Sequence, residues 1–163
     1  MSLQDGSLRR IASDQQLRTD RPGVGGATSV SDPRWVIGES AFWSVVLNMD
    51  QALLGRCYLL LKRPETDALA LTPEEQSDLF TLATRVRKAM LSLWDPDHFN
   101  YAFLMNQTPQ VHFHLIPRYK QRREFAGGTF VDPEFGNHYG VGPARHLDQA
   151  AYDAILAALR SRI

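Results

Sequence analysis

The segment that decides the fold is Gln110-Val111-His112-Phe113-His114-Leu115-Ile116-Pro117-Arg118. Side chains of a β-strand point alternately to its two faces, so this alternation predicts a strand with one apolar and one polar face. The face expected to pack into the core carries Val111, Phe113 and Leu115. The opposite face is expected to present Gln110, His112 and His114 in a row.

The segments around this strand predict an α+β fold with an antiparallel sheet. Strands rich in β-branched and aromatic residues are predicted at 42–48, 56–62, 99–106 and 110–116, the last two joined by a short turn at 107–109. The strand at 56–62 is mostly apolar and is expected to be buried on both faces. Thr72-Pro73-Glu74-Glu75 predicts a capping box that opens a long helix ending near Trp94. Its expected core positions are Leu79, Leu82, Ala83, Val86, Ala89, Met90 and Leu93.

The chain is expected to form one domain with an arm. Residues 1–30 are polar and rich in glycine, which predicts a flexible or loosely docked arm. Residues 31–163 are expected to fold as a single domain that ends in a helix capped by Asp148. Within that domain, residues 118–146 predict a long loop with little periodicity. Its local run of basic residues is expected to be solvated: Arg118, Lys120, Arg122 and Arg123.

Composition limits the class of function. Lys plus Arg and Asp plus Glu both number 18, so no overall field favours nucleic acid or an acidic membrane. The single Cys57 excludes an intramolecular disulfide and a cysteine-built zinc site. No apolar run reaches the roughly 20 residues of a membrane span, and the N-terminus lacks the apolar segment of a signal peptide. We therefore expect a cytoplasmic protein without nucleic-acid or membrane partners.

The two histidines of the strand are compatible with three hypotheses. They are half-exposed strand residues without a special role, or two ligands of a metal ion whose further ligands come from His98, His138, His146 or carboxylates. Alternatively, one imidazole is a nucleophile on phosphorus and the neighbouring polar groups bind phosphate oxygens.

The third hypothesis gains weight because the segment resembles the signature of the histidine triad (HIT) family, in which His-x-His-x-His is followed by apolar residues. Val46-Leu47-Asn48, then Arg56 with its apolar strand, resembles the family's nucleotide-side strand pair. The helix start at Thr72 and the strand at 100–106 also match. The resemblance covers about residues 34–119 and implies a HIT-like fold: about five antiparallel strands, one long helix packed on them and a C-terminal helix.

The resemblance also implies the chemistry and the residues that perform it. HIT proteins hydrolyse or transfer nucleoside monophosphates, here expected to be purine derivatives, at the α-phosphorus. By position, His112 would be the nucleophile, the Gln110 carbonyl would hold its Nδ1–H, and His114 would bind phosphate oxygens. Asn48 matches the position that meets the ribose. The turn that contacts phosphates and the leaving group would hold Asn106, Gln107 and Thr108.

Two departures from the family pattern leave an alternative open. Gln110 stands where the first histidine of the triad is expected, and Arg56 where many members place a fourth histidine. Gln110 cannot titrate near neutrality, while Arg56 could bind a phosphate bidentately or pair with a carboxylate. The alternative function is a nucleotide-binding module with weak or no catalysis. The resemblance further implies a homodimer and no required cofactor or protein-bound metal, a divalent metal being compatible only as a companion of the substrate phosphates.

Overall fold

Five antiparallel strands form the main sheet of the structure, a computed structural model that describes residues 32–138, 140 and 143–163. The strands are β1 (Val36–Glu39), β2 (Trp43–Leu47), β3 (Cys57–Leu61), β4 (His98–Phe103) and β5 (His112–Arg118). Their order across the sheet is β1-β2-β3-β5-β4, so β5 lies between two neighbours and β4 is an edge. The predicted α+β fold with about five strands is confirmed. The predicted arm at 1–30 lies outside the described residues.

The long helix α1 (Pro73–Trp94) begins at the predicted capping box. The Thr72 hydroxyl accepts a hydrogen bond from Glu75 N–H, and the Glu75 carboxylate accepts one from Thr72 N–H. The helix ends at Asp95, which adopts the left-handed conformation with φ of 47°. Its buried side chains are Glu75, Leu79, Leu82, Ala83, Val86, Ala89, Met90 and Trp94, whereas Leu93, predicted to be in the core, is only half-buried.

The core lies between α1 and one face of the sheet. Trp43 of β2 is fully buried, and its indole N–H donates to Glu75 O in the first turn of α1 at 2.9 Å. Cys57, Leu59 and Leu115 from the next strands are also fully buried. Burial raises the pKa of the Cys57 thiol well above its usual range, because a thiolate would be desolvated there. The opposite face of the sheet is therefore the one left for polar side chains.

The β4–β5 hairpin has a longer connection than predicted. β4 ends at Phe103 and β5 begins at His112, so residues 104–111 join them instead of a turn at 107–109. Two local features explain the difference. Met105 adopts a φ of 36°, and the Val111 N–H leaves the sheet to donate to Glu65 O at 2.7 Å.

The segment 118–146 contains strands that the sequence does not predict, although its described residues after 130 lack a helix or strand. Arg118 belongs to β5, and a small hairpin follows, formed by β6 (Arg123–Phe125) and β7 (Gly128–Phe130). Between them Ala126 and Gly127 both have positive φ, 49° and 75°, as a two-residue turn of a tight hairpin requires. The last helix, α2 (Gln149–Arg160), is capped by Asp148 as predicted.

Candidate active site

The polar row of β5 lies on the face of the sheet opposite α1. His112 pairs with Leu60 and His114 with Tyr58 across the β3–β5 ladder, so these four side chains share one face. The two imidazole rings are neighbours, with centroids 4.7 Å apart. Tyr58 lies across from both, its ring 5.7 Å from His112 and 6.1 Å from His114. The structure therefore places the two histidines side by side, as the alternation predicts.

The ring of His112 is held by its own chain. Nδ1 lies 2.8 Å from the main-chain oxygen of Gln110. A carbonyl oxygen only accepts hydrogen bonds, so Nδ1 carries the proton of the neutral imidazole. The lone pair is then on Nε2, the nitrogen available for attack on an electrophile.

His114 is kept neutral by its surroundings. Burial, the adjacent His112 and the guanidinium of Arg56 lower the pKa of His114 to about 4 from its usual value of 6.5. Its Nδ1 is enclosed and has no hydrogen-bond partner among the described residues. At neutral pH the ring therefore has a single N–H to offer.

Arg56 sits beside His114, at the start of β3. It forms a partly buried ion pair with Asp50, so the structure shows the carboxylate partner that the sequence left as one of two options. Asp50 is itself held in place, because its Oδ1 accepts from the N–H groups of Ala52 and Arg145. The guanidinium is thus fixed at the edge of the site, with the Asp50 carboxylate as its counter-charge.

The side chain of Gln110 bonds to main-chain carbonyl oxygens rather than to either histidine ring. Its amide nitrogen donates to Leu61 O at 2.5 Å and lies 3.3 Å from Arg63 O. The residue therefore contacts the end of β3 with its side chain and His112 with its main chain.

The other predicted contact residues are less closely gathered. Asn48 follows β2 and adjoins Arg56, since its N–H donates to Arg56 O at 3.1 Å. The Asn48 amide oxygen is occupied by Asp50 N–H at 2.8 Å. The turn residues Asn106 and Gln107 are exposed and Thr108 is half-buried, and within the described residues none of their side chains bonds to a histidine.

Sequence reasoning missed Tyr58. The strand 56–62 was expected to be buried on both faces, but Tyr58 and Leu60 are half-buried and face the histidines, while Cys57, Leu59 and Leu61 are fully buried. Alternation starting from Arg56 was the signal, since Arg56, Tyr58 and Leu60 fall on one side. It is weak because the charged residues stand only at the two ends of the strand, while Tyr58 and Leu60 between them are mainly apolar side chains.

Half of the basic run after the triad is solvated as predicted, since Lys120 and Arg122 are exposed, whereas Arg118 is buried and Arg123 is half-buried. Arg118 is 3% exposed, and its guanidinium donates twice to Asp132, at 2.6 and 3.0 Å, and once to Asn100 Oδ1 at 2.8 Å. Arg123 donates to the carbonyl oxygens of Trp94 and Asp95. Both cations therefore fasten the segment after β5 to the domain, which corrects the sequence-based expectation for these two residues.

Further ligands for the metal hypothesis are not gathered here. Among the residues that the structure describes, no group of three or more His, Cys, Asp or Glu side chains is placed to bind a metal ion. In the same residues, no helix has both the length and the apolar composition needed to span a membrane.

A five-stranded antiparallel sheet with a histidine pair on its open face and a helix behind it defines an α+β protein of the HIT-like class. Residues 31–121, more than half of the chain, match the family model of the HIT domain. The chain therefore belongs to the HIT domain family, and the resemblance inferred from the triad segment is confirmed.

Solved structures agree with this assignment. A histidine triad protein from Bradyrhizobium japonicum is 26% identical with a TM-score of 0.64, over 78% of this chain and 89% of the other. A histidine triad protein from Sinorhizobium meliloti shares the fold at 20% identity, with a TM-score of 0.65 over 78% and 88% of the two chains. The diadenosine triphosphate hydrolase of Plasmodium falciparum is 26% identical with a TM-score of 0.51, over 55% and 64%. No curated protein is significantly similar in sequence.

Proposed function

We propose that the protein is a nucleotide hydrolase or transferase that acts at the α-phosphorus of nucleoside phosphoramidates or dinucleoside polyphosphates. A role in nucleotide binding or hydrolysis follows from the HIT family and from the similarity to a diadenosine triphosphate hydrolase. The observation that carries the finer proposal is the 2.8 Å contact between His112 Nδ1 and the Gln110 carbonyl. It leaves the Nε2 lone pair of His112 as a nucleophile on the open face.

The proposed reaction has two steps. His112 Nε2 attacks the α-phosphorus, a nitrogen–phosphorus bond forms, and the bond to the leaving group breaks as that group takes up a proton from the solvent, to which the attacking water of the second step returns one. Water or another acceptor then attacks the nucleotidyl-histidine, which releases the nucleoside monophosphate or its transfer product and restores the free imidazole. Two displacements at one phosphorus split a difficult step into two easier ones.

His114 and Arg56 are proposed to stabilise the phosphate. Because Nδ1 of His114 is enclosed, a proton on Nε2 puts the single N–H of this neutral ring where a phosphate oxygen can accept it. The fixed charge of Arg56 favours an anion at the same edge of the site. Asn48 is proposed to meet the ribose. The phosphates and leaving group would be contacted by Asn106, Gln107 and Thr108.

The test is a rapid-mixing experiment with adenosine phosphoramidate, followed by intact-mass measurement. The expected result is a transient adduct with the mass of an AMP group, which the His112→Ala variant does not form. Wild-type turnover by His112→Ala would contradict the assignment of the nucleophile.

A second candidate is a nucleotide-binding module with weak or no catalysis. The ion pair between Arg56 and Asp50 favours it, because a guanidinium already paired with a carboxylate gives less stabilisation to a transition state. AMP that raises the melting temperature, without an adduct or released AMP from any phosphoramidate or dinucleoside polyphosphate, would select this candidate.

We also propose a homodimer joined through the edge strand β4. Phe80 of α1 and Tyr101 of β4 both pack against Phe113, yet they are 61% and 46% exposed. Exposed apolar clusters of this kind are typical of interfaces. Light scattering should give a dimer mass for the wild type and a smaller mass for Tyr101→Glu. The matched control Leu69→Glu, at an exposed leucine in the short helical turn Ala68–Ala70, should keep the wild-type mass.

The proposed reaction also sets expectations for cofactors, while the location of the protein is a separate prediction. The reaction as written requires no cofactor, and a divalent metal would enter only with the substrate phosphates. Addition of a chelator should therefore change the apparent KM rather than remove activity. Location in the cytoplasm stays a prediction, and cell fractionation tests it.

A further inference from the structure

The hydrogen-bond ladder between β3 and β5 changes at its end. Leu61 N–H still donates to Val111 O at 3.1 Å. In an antiparallel ladder a pair joined in this way exchanges two bonds, so Leu61 O should accept from Val111 N–H. Instead, Val111 N–H donates to Glu65 O, and Leu61 O accepts from the Gln110 side chain at 2.5 Å. The Gln110 amide thus replaces the ladder bond that the backbone has diverted.

The position of the Gln110 side chain suits a hydrogen-bond donor that does not titrate near neutral pH. The amide nitrogen of Gln110 faces two carbonyl oxygens, those of Leu61 and Arg63. Carbonyl oxygens only accept, so the side chain between them must supply hydrogen atoms. An amide has two N–H groups and does not titrate near neutrality, so both contacts persist across the working pH range.

Arg63, whose carbonyl oxygen faces the Gln110 amide, is itself held in place by its side chain. The guanidinium of Arg63 donates to the Glu75 carboxylate at 2.6 and 3.0 Å. The same carboxylate completes the capping box of α1 by accepting from Thr72 N–H. The carbonyl of Arg63 is therefore connected, through two side chains, to the first turn of the longest helix.

We infer that Gln110 is a positioning residue: its side-chain amide, bonded to the end of β3, fixes the main-chain carbonyl that holds Nδ1 of His112. The direction of the His112 Nε2 lone pair is then set by Gln110, although Gln110 does not touch the substrate. The kinetic consequence rests on the proposed function, whereas the effect on the imidazole does not. A displacement of a reacting group by about 1 Å can cost roughly 100-fold in rate.

The test compares Gln110→Glu with Gln110→Ala in the full chain. Glutamate has nearly the shape of glutamine, but its ionised carboxylate offers only acceptors to two carbonyl oxygens, and protonation restores one donor. The control Gln121→Glu adds the same charge at an exposed position after β5. Three measurements are made on each variant: the 15N chemical shifts of the His112 imidazole, kcat and KM with adenosine phosphoramidate, and the melting temperature.

The expected result is a loss of kcat of roughly tenfold to 100-fold in both Gln110 variants near pH 8, with KM changed less. The 15N shifts of His112 should move from a single Nδ1–H tautomer towards a mixture. Gln121→Glu should behave as wild type throughout.

The outcomes separate this inference from the proposed function. Wild-type kcat and wild-type 15N shifts in Gln110→Glu at every pH would overturn the positioning role, as would a change confined to KM. If the wild type itself gives no adduct and no turnover, yet the His112 shifts change in the variants, the positioning role stands and the proposed function fails. If Gln110→Ala does not fold, the 15N shifts of His112 in Gln110→Glu near pH 8 decide, and wild-type shifts there would overturn the positioning role.

Discussion

The two ends of β5 differ in how their polar groups are satisfied. At the C-terminal end, Arg118 and Asp132 form an ion pair in which each side chain is 3% exposed. At the N-terminal end, Nδ1 of His114 has no partner among the described residues, and Nε2 of His112 carries a free lone pair. Both ends lie in one strand and are buried, yet only at the C-terminal end do the polar side chains satisfy each other.

This difference separates structural from functional polar groups. Buried charges are costly unless they are paired, so Arg118 and Asp132 satisfy a requirement of the fold. The histidine pair is different, because the proposed reaction uses Nε2 of both rings, while the enclosed Nδ1 of His114 is an acceptor with no partner among the described residues. The comparison predicts that substitutions at one end reduce activity and those at the other reduce stability.

The largest effect on activity is expected from His112→Ala. Without the nucleophile, kcat should fall by at least about 10³-fold, or about 4 kcal/mol in the activation free energy. The melting temperature should change less than turnover, because the imidazole makes a single hydrogen bond within the described residues, to the Gln110 carbonyl. Steady-state kinetics and thermal unfolding of the same sample test both statements. A large loss of stability without loss of turnover per folded molecule would contradict the assignment of a catalytic role to this end of β5.

The largest effect on stability is expected from Asp132→Ala. Removing one partner of a buried ion pair leaves Arg118 uncompensated and should cost about 3–5 kcal/mol in the free energy of unfolding. Denaturant titration measures this cost, and turnover should persist where the variant is folded. The matched control is Glu124→Ala, whose pair with Arg122 is 60% and 74% exposed and should contribute about 0–1 kcal/mol.

A smaller effect is expected from pH. Folding lowers the pKa of His114 from 6.5 to about 4, so the unfolded chain binds more protons than the folded chain between those values. Stability should therefore fall as the pH drops from about 6.5 to 4, with a decrease of roughly a few degrees in melting temperature. The non-titrating variant His114→Asn should show a shallower slope in this range. An equal slope in both proteins would assign the acid sensitivity to other groups.

The smallest effect is expected at the helix that anchors the N-terminal end of β5. Thr72→Ala removes one half of the capping box and should cost about 0.5–2 kcal/mol in the free energy of unfolding. The control Thr84→Ala lies within α1, where its hydroxyl bonds to Phe80 O, and should be neutral or slightly stabilising. Equal losses of unfolding free energy in the two variants would show that the Thr72 cap stabilises the protein no more than a threonine within α1.

Local sequence patterns predicted the elements and the central strand. Alternation placed His112 and His114 on one face, and the residues 72–75 located the start of α1, because both signals act within a few residues. The prediction that the strand 56–62 is buried on both faces is wrong, because Tyr58 and Leu60, although mainly apolar, are half-buried on the face of the histidines. Alternation therefore predicts a face well only where its two sets differ in polarity.

Local sequence patterns do not predict hydrogen bonds between residues that are far apart in the chain. Arg118 was assigned to a solvated run since nothing nearby in the sequence indicates that Asp132 and Asn100 meet its guanidinium. The Gln110 side chain was read as a change in chemistry, whereas its contacts lie at Leu61 and Arg63, far back along the chain. Both errors concern hydrogen bonds between distant segments, which depend on the assembled sheet.

The burial of Cys57 has a practical consequence. The chain has a single cysteine, and because burial raises the pKa of its thiol, it exists as the unreactive protonated form shielded from reagents. A cysteine introduced at an exposed position, such as Gln121, would therefore be the one site open to a maleimide dye in the folded protein. Fluorescence labels could therefore be placed on the surface without altering any native residue of the core.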